Sequence, residues 1–280
     1  MIKRAEYLGL APLLIYMAIF LGWPLIAVMR FSFQNSAGDF TLENFSTIAQ
    51  GIYRSAFILS FQLSIASALI SLIAGFIFAY ALVTSRYRTV KKFVATASGV
   101  LANTGGVPLA FMFIAVLGTY GTLTTWLKGI GIEIYGGGWT IYSFSGLLIV
   151  YLYFQIPLMV LIALPVLENV RKEWSEAAQS LGASSWTYWR KVLIPILFPQ
   201  MLGLFLLLFA NSFAAYATAA ALTSGSLALV PVQIASLIGS NVQVDGANIA
   251  MALGLGMVLL IGVSTVGYAA LERRSSRWRR

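Results

Sequence analysis

Neither cysteine nor histidine occurs among the 280 residues, and only 10% of the chain is charged. The first absence removes disulfides, thiolate nucleophiles, imidazole bases and every His/Cys metal site from consideration. The second, together with 59% hydrophobic residues and a mean hydropathy of +0.86, is incompatible with a soluble globule of this length. No G-x-x-x-x-G-K-[ST] sequence is present to cradle a nucleotide phosphate. Gly136-Gly-Gly138 lacks that context and reads as an outward turn. No Asp, Glu, Lys or Arg lies deep within an apolar stretch. Carriers driven by protons or sodium ordinarily use such groups, so the energy for transport is expected to enter from elsewhere. No catalytic residue and no metal ligand is assigned. A membrane-embedded enzyme would need an unusual Ser or Tyr arrangement.

What is present is an all-α, polytopic membrane pattern. A crossing helix needs about 20 apolar residues at 1.5 Å rise each. Six stretches meet that length, at 7–29, 56–83, 93–117, 142–167, 199–222 and 247–271. They form a single transmembrane domain over residues 1–280. The first stretch has no small-residue cleavage pattern and runs on into Trp23-Pro24, so a retained span is expected. Pro157 and Pro165 are expected to kink or end the fourth.

Fifteen of the eighteen Lys and Arg fall at the N-terminus, after spans two and four, and in the tail. Only Arg30, Arg54 and Lys128 lie on the other side, beside Asp39, Glu43, Glu133 and Asp245. The excess of basic residues on one side places both termini and the 168–198 loop in the cytoplasm. It also accounts for the basic pI without nucleic acid. In the first outward loop Thr41 can cap a short helix, with Asn44 where a capping box carries an acid.

Polar residues inside spans should face the bundle rather than lipid. Gln62, Gln155, Asn211 and Tyr216 are such residues, and Asn103 and Thr104 open the run Asn103-Thr-Gly-Gly-Val-Pro108. That run reads either as a broken, pathway-lining helix or as a close helix crossing made by small residues. These six are the candidate pathway-lining residues.

Glu173 to Pro199 is a charged island of 27 residues in this oily chain. Trp174, Ala177, Ala178 and Leu181 fall at helical spacing and form one apolar stripe, which Gly182 ends. Ser184 or Ser185 can cap a second helix near Trp186, and Pro195 and Pro199 mark its handover to the fifth span. By periodicity alone this is a solvated helix resting on headgroups.

Glu176-Ala177-Ala178, three residues, Gly182, nine residues, then Val192-Leu-Ile-Pro195 resembles the EAA motif of binding-protein-dependent ABC importer permeases. The departures from the family's E-A-A, G, I-x-L-P pattern are Val192 for Ile and Ile194 for Leu, both conservative. The six spans, Leu42-Glu-Asn-Phe45 and the basic tail extend the resemblance to that family over the whole chain, and Gly105 to Phe111 with Phe213 to Thr218 resemble the branch serving polyamines, aminoethylphosphonate, thiamine or ferric iron.

The resemblance implies a six-helix type I ABC importer permease fold in a bacterial inner membrane. It implies a coupling helix in which Glu176, Ala177, Ala178 and Gly182 dock on an ATPase subunit, with Trp174, Leu181 and Pro195 in the same element. The implied partners are an ATPase dimer, a second permease, identical or different, and an extracytoplasmic solute-binding protein. ATP and Mg would sit on the ATPase, and no cofactor on this chain. A polyamine such as spermidine or putrescine is the favoured cargo, compatible with the acidic outward loops. A secondary transporter or channel acting without an ATPase is the alternative, although no coupling group or selectivity filter is evident.

Overall fold

The computed structural model describes residues 4–239 and 245–276, which contain helices and turns and, among those residues, no strand beyond one isolated antiparallel bridge from Gln34 to Phe40. In order, the helices are α1 (Arg4–Met17), α2 (Trp23–Ser32), α3 (Glu43–Ile48), α4 (Gly51–Thr84), α5 (Arg88–Asn103), α6 (Val107–Leu117), α7 (Thr122–Gly129), α8 (Phe144–Glu168), α9 (Lys172–Ser180), α10 (Ser185–Tyr188), α11 (Ile194–Phe213), α12 (Ala217–Thr223), α13 (Val230–Gly239) and α14 (Gly246–Ser276). Six helical stretches among the described residues are long and apolar enough to cross a membrane: Ala11–Ser32, Gly51–Thr84, Val107–Gly129, Phe144–Glu168, Ser185–Phe213 and Gly246–Gly267. Gly51–Thr84 alone, with 34 residues, is about 51 Å long, well beyond the hydrocarbon thickness.

These stretches depart from the sequence expectation in three places. The third does not run unbroken over 93–117: the helix stops at Asn103 and restarts at Val107, because Gly106 adopts φ +81° and ψ −155°, a region open to glycine alone. The fifth begins earlier, at Ser185, and ends at Phe213, with 217–223 forming a separate helix. Pro157 and Pro165 do not end the fourth, since α8 continues through both to Glu168. Neighbouring helices hold α8 from several sides, so the ladder bonds lost at the prolines do not unwind it.

Contacts divide the chain into two compact units. The first comprises Met1–Phe57 and Val230–Leu260. Its turn after α2 is held by amides. Asn44 is buried, and its Nδ2 donates to Ser32 O at 3.0 Å and Gln34 O at 2.8 Å. Asn248 Nδ2 adds a bond to Gln34 O at 2.6 Å. Asn44 is thus a clamp on the turn rather than part of a capping box, and Leu42, not Thr41, is the N-cap of α3; Thr41 Oγ1 accepts the Glu43 N–H at 3.1 Å as a local turn bond. The Asp245 carboxylate accepts the Ser36 N–H at 2.8 Å.

The second unit, Ile58–Leu229 with Ile261–Arg280, carries the α4, α5, α6, α8, α11 and α12 packing. Gly75 lets α4 cross α8 closely: a Cβ there would lie 2.6 Å from Met159 Cβ and 3.0 Å from Ile156 O. At the same crossing, Gln155 Nε2 donates to Ser67 Oγ at 2.9 Å, and Ser67 Oγ meets Ser212 Oγ at 2.8 Å. All three are buried, so α4, α8 and α11 are tied by a polar knot shielded from lipid. Tyr151 on α8 is also buried and donates from its hydroxyl to Ala215 O at 2.8 Å.

Gly75→Val is expected to lower stability by about 1–3 kcal/mol through overpacking at the α4–α8 crossing. The comparison is Gly99→Ala in α5, where an added Cβ meets nothing within 4 Å. Thermal unfolding in detergent should separate the two, with Gly99→Ala unchanged or slightly more stable.

Candidate functional site

Two features of the second unit concentrate the residues singled out by sequence. The first is the connection from α8 to α11. Lys172–Ser180 is helical, Leu181 is its C-cap, and Gly182 follows at φ +72°. The Gly182 N–H donates to Gln179 O at 2.9 Å and the Ala183 N–H to Ala178 O at 2.9 Å. This pair of bonds is the Schellman arrangement, which requires a left-handed residue where Gly182 stands. Ser184 then caps α10, its Oγ accepting from the Thr187 N–H at 3.3 Å.

The stripe is only half covered by this chain. Ala178 is buried and Trp174 half-buried, whereas Glu176 and Ala177 are exposed and Leu181 is 87% exposed. An apolar edge beside a carboxylate is therefore left open.

Pro195 does not separate two helices. Ser185–Tyr188 runs through a π-helical turn, Trp189–Leu193, directly into α11, with Pro195 in that helix's first turn. Proline cannot donate to the carbonyl four residues back, and the wider turn lies just before that missing bond. Trp189 in this turn stands edge-on to Tyr80 at 4.7 Å and to Phe76 at 6.4 Å between ring centroids, both on α4. No sequence signal beyond the aromatic itself marked Trp189, because its contact depends on the extra residue in the turn.

The second feature is a cavity of about 340 Å³ where two helix breaks meet, lined among others by Asn103, Gly106, Phe154, Asn211, Tyr216 and Thr218. The break between α5 and α6 is bound to α12 by one side chain. Thr218 Oγ1 accepts the Gly106 N–H at 2.8 Å and lies 3.3 Å from Gly106 O, to which it donates. Both polar groups of an unwound residue are so satisfied by one hydroxyl, as backbone at membrane depth requires. Asn103 Nδ2 donates to Gly99 O at 2.8 Å, and Thr104 Oγ1 donates at 2.7 Å to Val100 O, which the Thr104 N–H leaves free by turning to Leu101 O. Among the described residues, no carboxylate, ammonium or guanidinium lines this cavity.

Of the six residues expected to line a pathway, Asn103, Asn211 and Tyr216 meet here. Thr104 is half-buried next to the break, and Gln62 lies exposed on α4; neither lines this cavity. Gln155 is fully buried in the knot with Ser67 and does not line this cavity, its Nε2 serving helix packing. Thr218 was not among the six, since a threonine in the small-residue run Ala214 to Ala220 carries no sign of the glycine it faces.

Residues 71–277 match the family model described as binding-protein-dependent transport system inner membrane component. The chain is 31% identical over 155 residues to the thiamine transport system permease protein ThiP of Escherichia coli K12, covering 55% of this chain but 28% of that protein. It is 27% identical over 206 residues to a probable sulfate transport system permease protein cysT of Nephroselmis olivacea, covering 72% of this chain and 68% of the relative. In fold it is similar to a chain in the crystal structure of a bacterial ABC transporter involved in import of the acidic polysaccharide alginate. That likeness has a TM-score of 0.73 at 18% identity over 96% of this chain and 95% of the other.

Thr218→Val, which keeps the shape of the side chain and removes its hydroxyl, is expected to destabilise by about 1–3 kcal/mol by leaving the Gly106 N–H unpaired. Thr218→Ser should retain most of the stability. Thermal unfolding of the purified chain measures both.

Proposed function

Because the chain belongs to the family of binding-protein-dependent transport system inner membrane components, we propose that it is the permease subunit of an ATP-driven importer, in which α9 is the coupling helix. The observation that carries the coupling role is the open edge of α9: Leu181 and Ala177 exposed beside Glu176, on a helix ended by the Gly182 turn. An apolar edge next to a carboxylate suits a groove on a partner ATPase that carries a basic group. The turn at Gly182 and the continuous run from α10 into α11 then give a push on α9 a rigid route into a membrane-crossing helix.

The assembly needs two ATPases, a second permease, whose identity the chain does not specify, and a solute-binding protein on the far side of a bacterial inner membrane. The basic residues clustered at the termini and near α9 favour a cytoplasmic location for both. ATP and Mg belong to the ATPases.

The cavity between the helix breaks is the part of this chain best suited to line the solute pathway. Its lining offers amides, hydroxyls, a phenol and exposed backbone, and no fixed charge. A polyamine cargo draws no support from the relatives named above, whose names specify thiamine and sulfate. Two of the acids that favoured it are engaged, Glu133 with Lys128 at 3.6 Å and Asp245 with the Ser36 N–H. Selection among solutes is therefore assigned to the binding protein.

Glu176→Lys should weaken docking of the ATPase by about 2 kcal/mol or more, roughly thirtyfold in affinity. Gly182→Pro, which removes the N–H bonded to Gln179 O and cannot adopt φ +72°, should abolish the stimulation of ATPase activity by loaded binding protein in the assembled complex. Both variants should still insert in the membrane. Normal stimulation in either one would remove α9 from the coupling role.

A further inference from the structure

We infer that the cavity beneath α9 is a binding site for the phosphate of an acidic phospholipid. The cavity measures about 700 Å³ and lies where α4 and α8 end, bounded by the start of α5, by α9 and by α10. Three cations and one carboxylate line it: Lys91 from α5, Arg171 and Lys172 at the start of α9, and Glu168 from the end of α8. Lys91 and Glu168 are joined as an ion pair, which leaves the Arg171 and Lys172 charges in excess. Tyr188, half-buried, adds a phenol to the lining.

Guanidinium and ammonium groups around one concavity, with a hydroxyl donor, are the chemistry that holds a phosphate oxyanion. Two observations favour a lipid as its source over a free anion. The cavity sits at the ends of two helices long and apolar enough to cross a membrane, where headgroups lie. Its lining also includes the half-buried Val83 and Val170, which suit the glycerol and first acyl carbons and offer nothing to inorganic phosphate. An occupant there would touch α5, α8, α9 and α10 together, so it would fix α9 relative to the bundle. The assignment rests on the permease reading only for placing this cavity at the inner face of the membrane, where acidic lipid attracts basic residues.

The test titrates the purified full chain in neutral detergent with short-chain phosphatidylglycerol, short-chain phosphatidylcholine, or sn-glycerol 3-phosphate, and follows the thermal midpoint. Phosphatidylglycerol is expected to raise the midpoint saturably and the other two are not. The double variant Arg171→Gln/Lys172→Gln should have an unchanged midpoint without lipid and require roughly tenfold or more phosphatidylglycerol for the same shift. Equal shifts from phosphatidylcholine would overturn the site as one of headgroup charge. An equal shift from glycerol phosphate would overturn the lipid assignment, and an undiminished response in the double variant would overturn the location. None of these readouts needs the ATPase, so they fail or succeed independently of the coupling role of α9.

Discussion

Backbone N–H and C=O groups cannot be left unpaired in hydrocarbon, where each orphan costs several kcal/mol, and this limits where a membrane chain can stop being a helix. Here helices stop between Asn103 and Val107, just before the third crossing stretch, and between Phe213 and Ala217, just after the fifth, and these two stops face each other across one cavity. Thr218 serves both polar groups of Gly106, Asn103 and Thr104 cover carbonyls of α5, and Tyr151 donates to Ala215 O. Each break is thus paired largely through the elements around the cavity. An opening lined by polar groups is created without leaving those groups to lipid.

The same rule explains the polar side chains that do not reach the cavity. Ser67, Gln155 and Ser212 lie on three helices and are linked by hydrogen bonds at the core of the α4–α8–α11 packing, the Gln155 Nε2 being paired and its Oε1 left without a partner among the described residues. Without a hydrophobic force between helices in lipid, close backbone approach and interhelical hydrogen bonds are the forces available to hold them. The rigid part of the second unit and its open part are therefore built from the same residue types, separated by whether a protein partner lies opposite.

How much of this could be read from the sequence follows from that distinction. Gly182 was legible because a helix that must end in a left-handed residue leaves few choices, and the bonds to Gln179 O and Ala178 O have the pattern expected. The interruption after Asn103 was one of two readings of adjacent glycines, and the φ of Gly106 decides it. The role of Gln155 was not legible: a lone amide in an apolar stretch announces that it needs a partner, without saying whether that partner is a serine or a solute. Nor was the course of the third crossing, since the apolar residues of 93–103 run on into 107–117 with only the Asn103–Pro108 polar and glycine run between them, so composition alone does not separate a half-exposed helix from the crossing that follows. The six-helix class came from composition and length, which tertiary detail cannot alter.

The π turn at Trp189–Leu193 sets the rotational phase of the α10–α11 rod. A turn of this kind holds one residue more than an α-helical turn, and each residue of an α-helix carries about 100° of rotation. Trp189 meets α4 at this turn, while Leu193, Leu197, Leu208 and Ser212 continue a buried line along α11. The extra residue therefore decides which face of α11 is turned toward α4: without it, everything after the turn would be rotated by about 100° relative to α10.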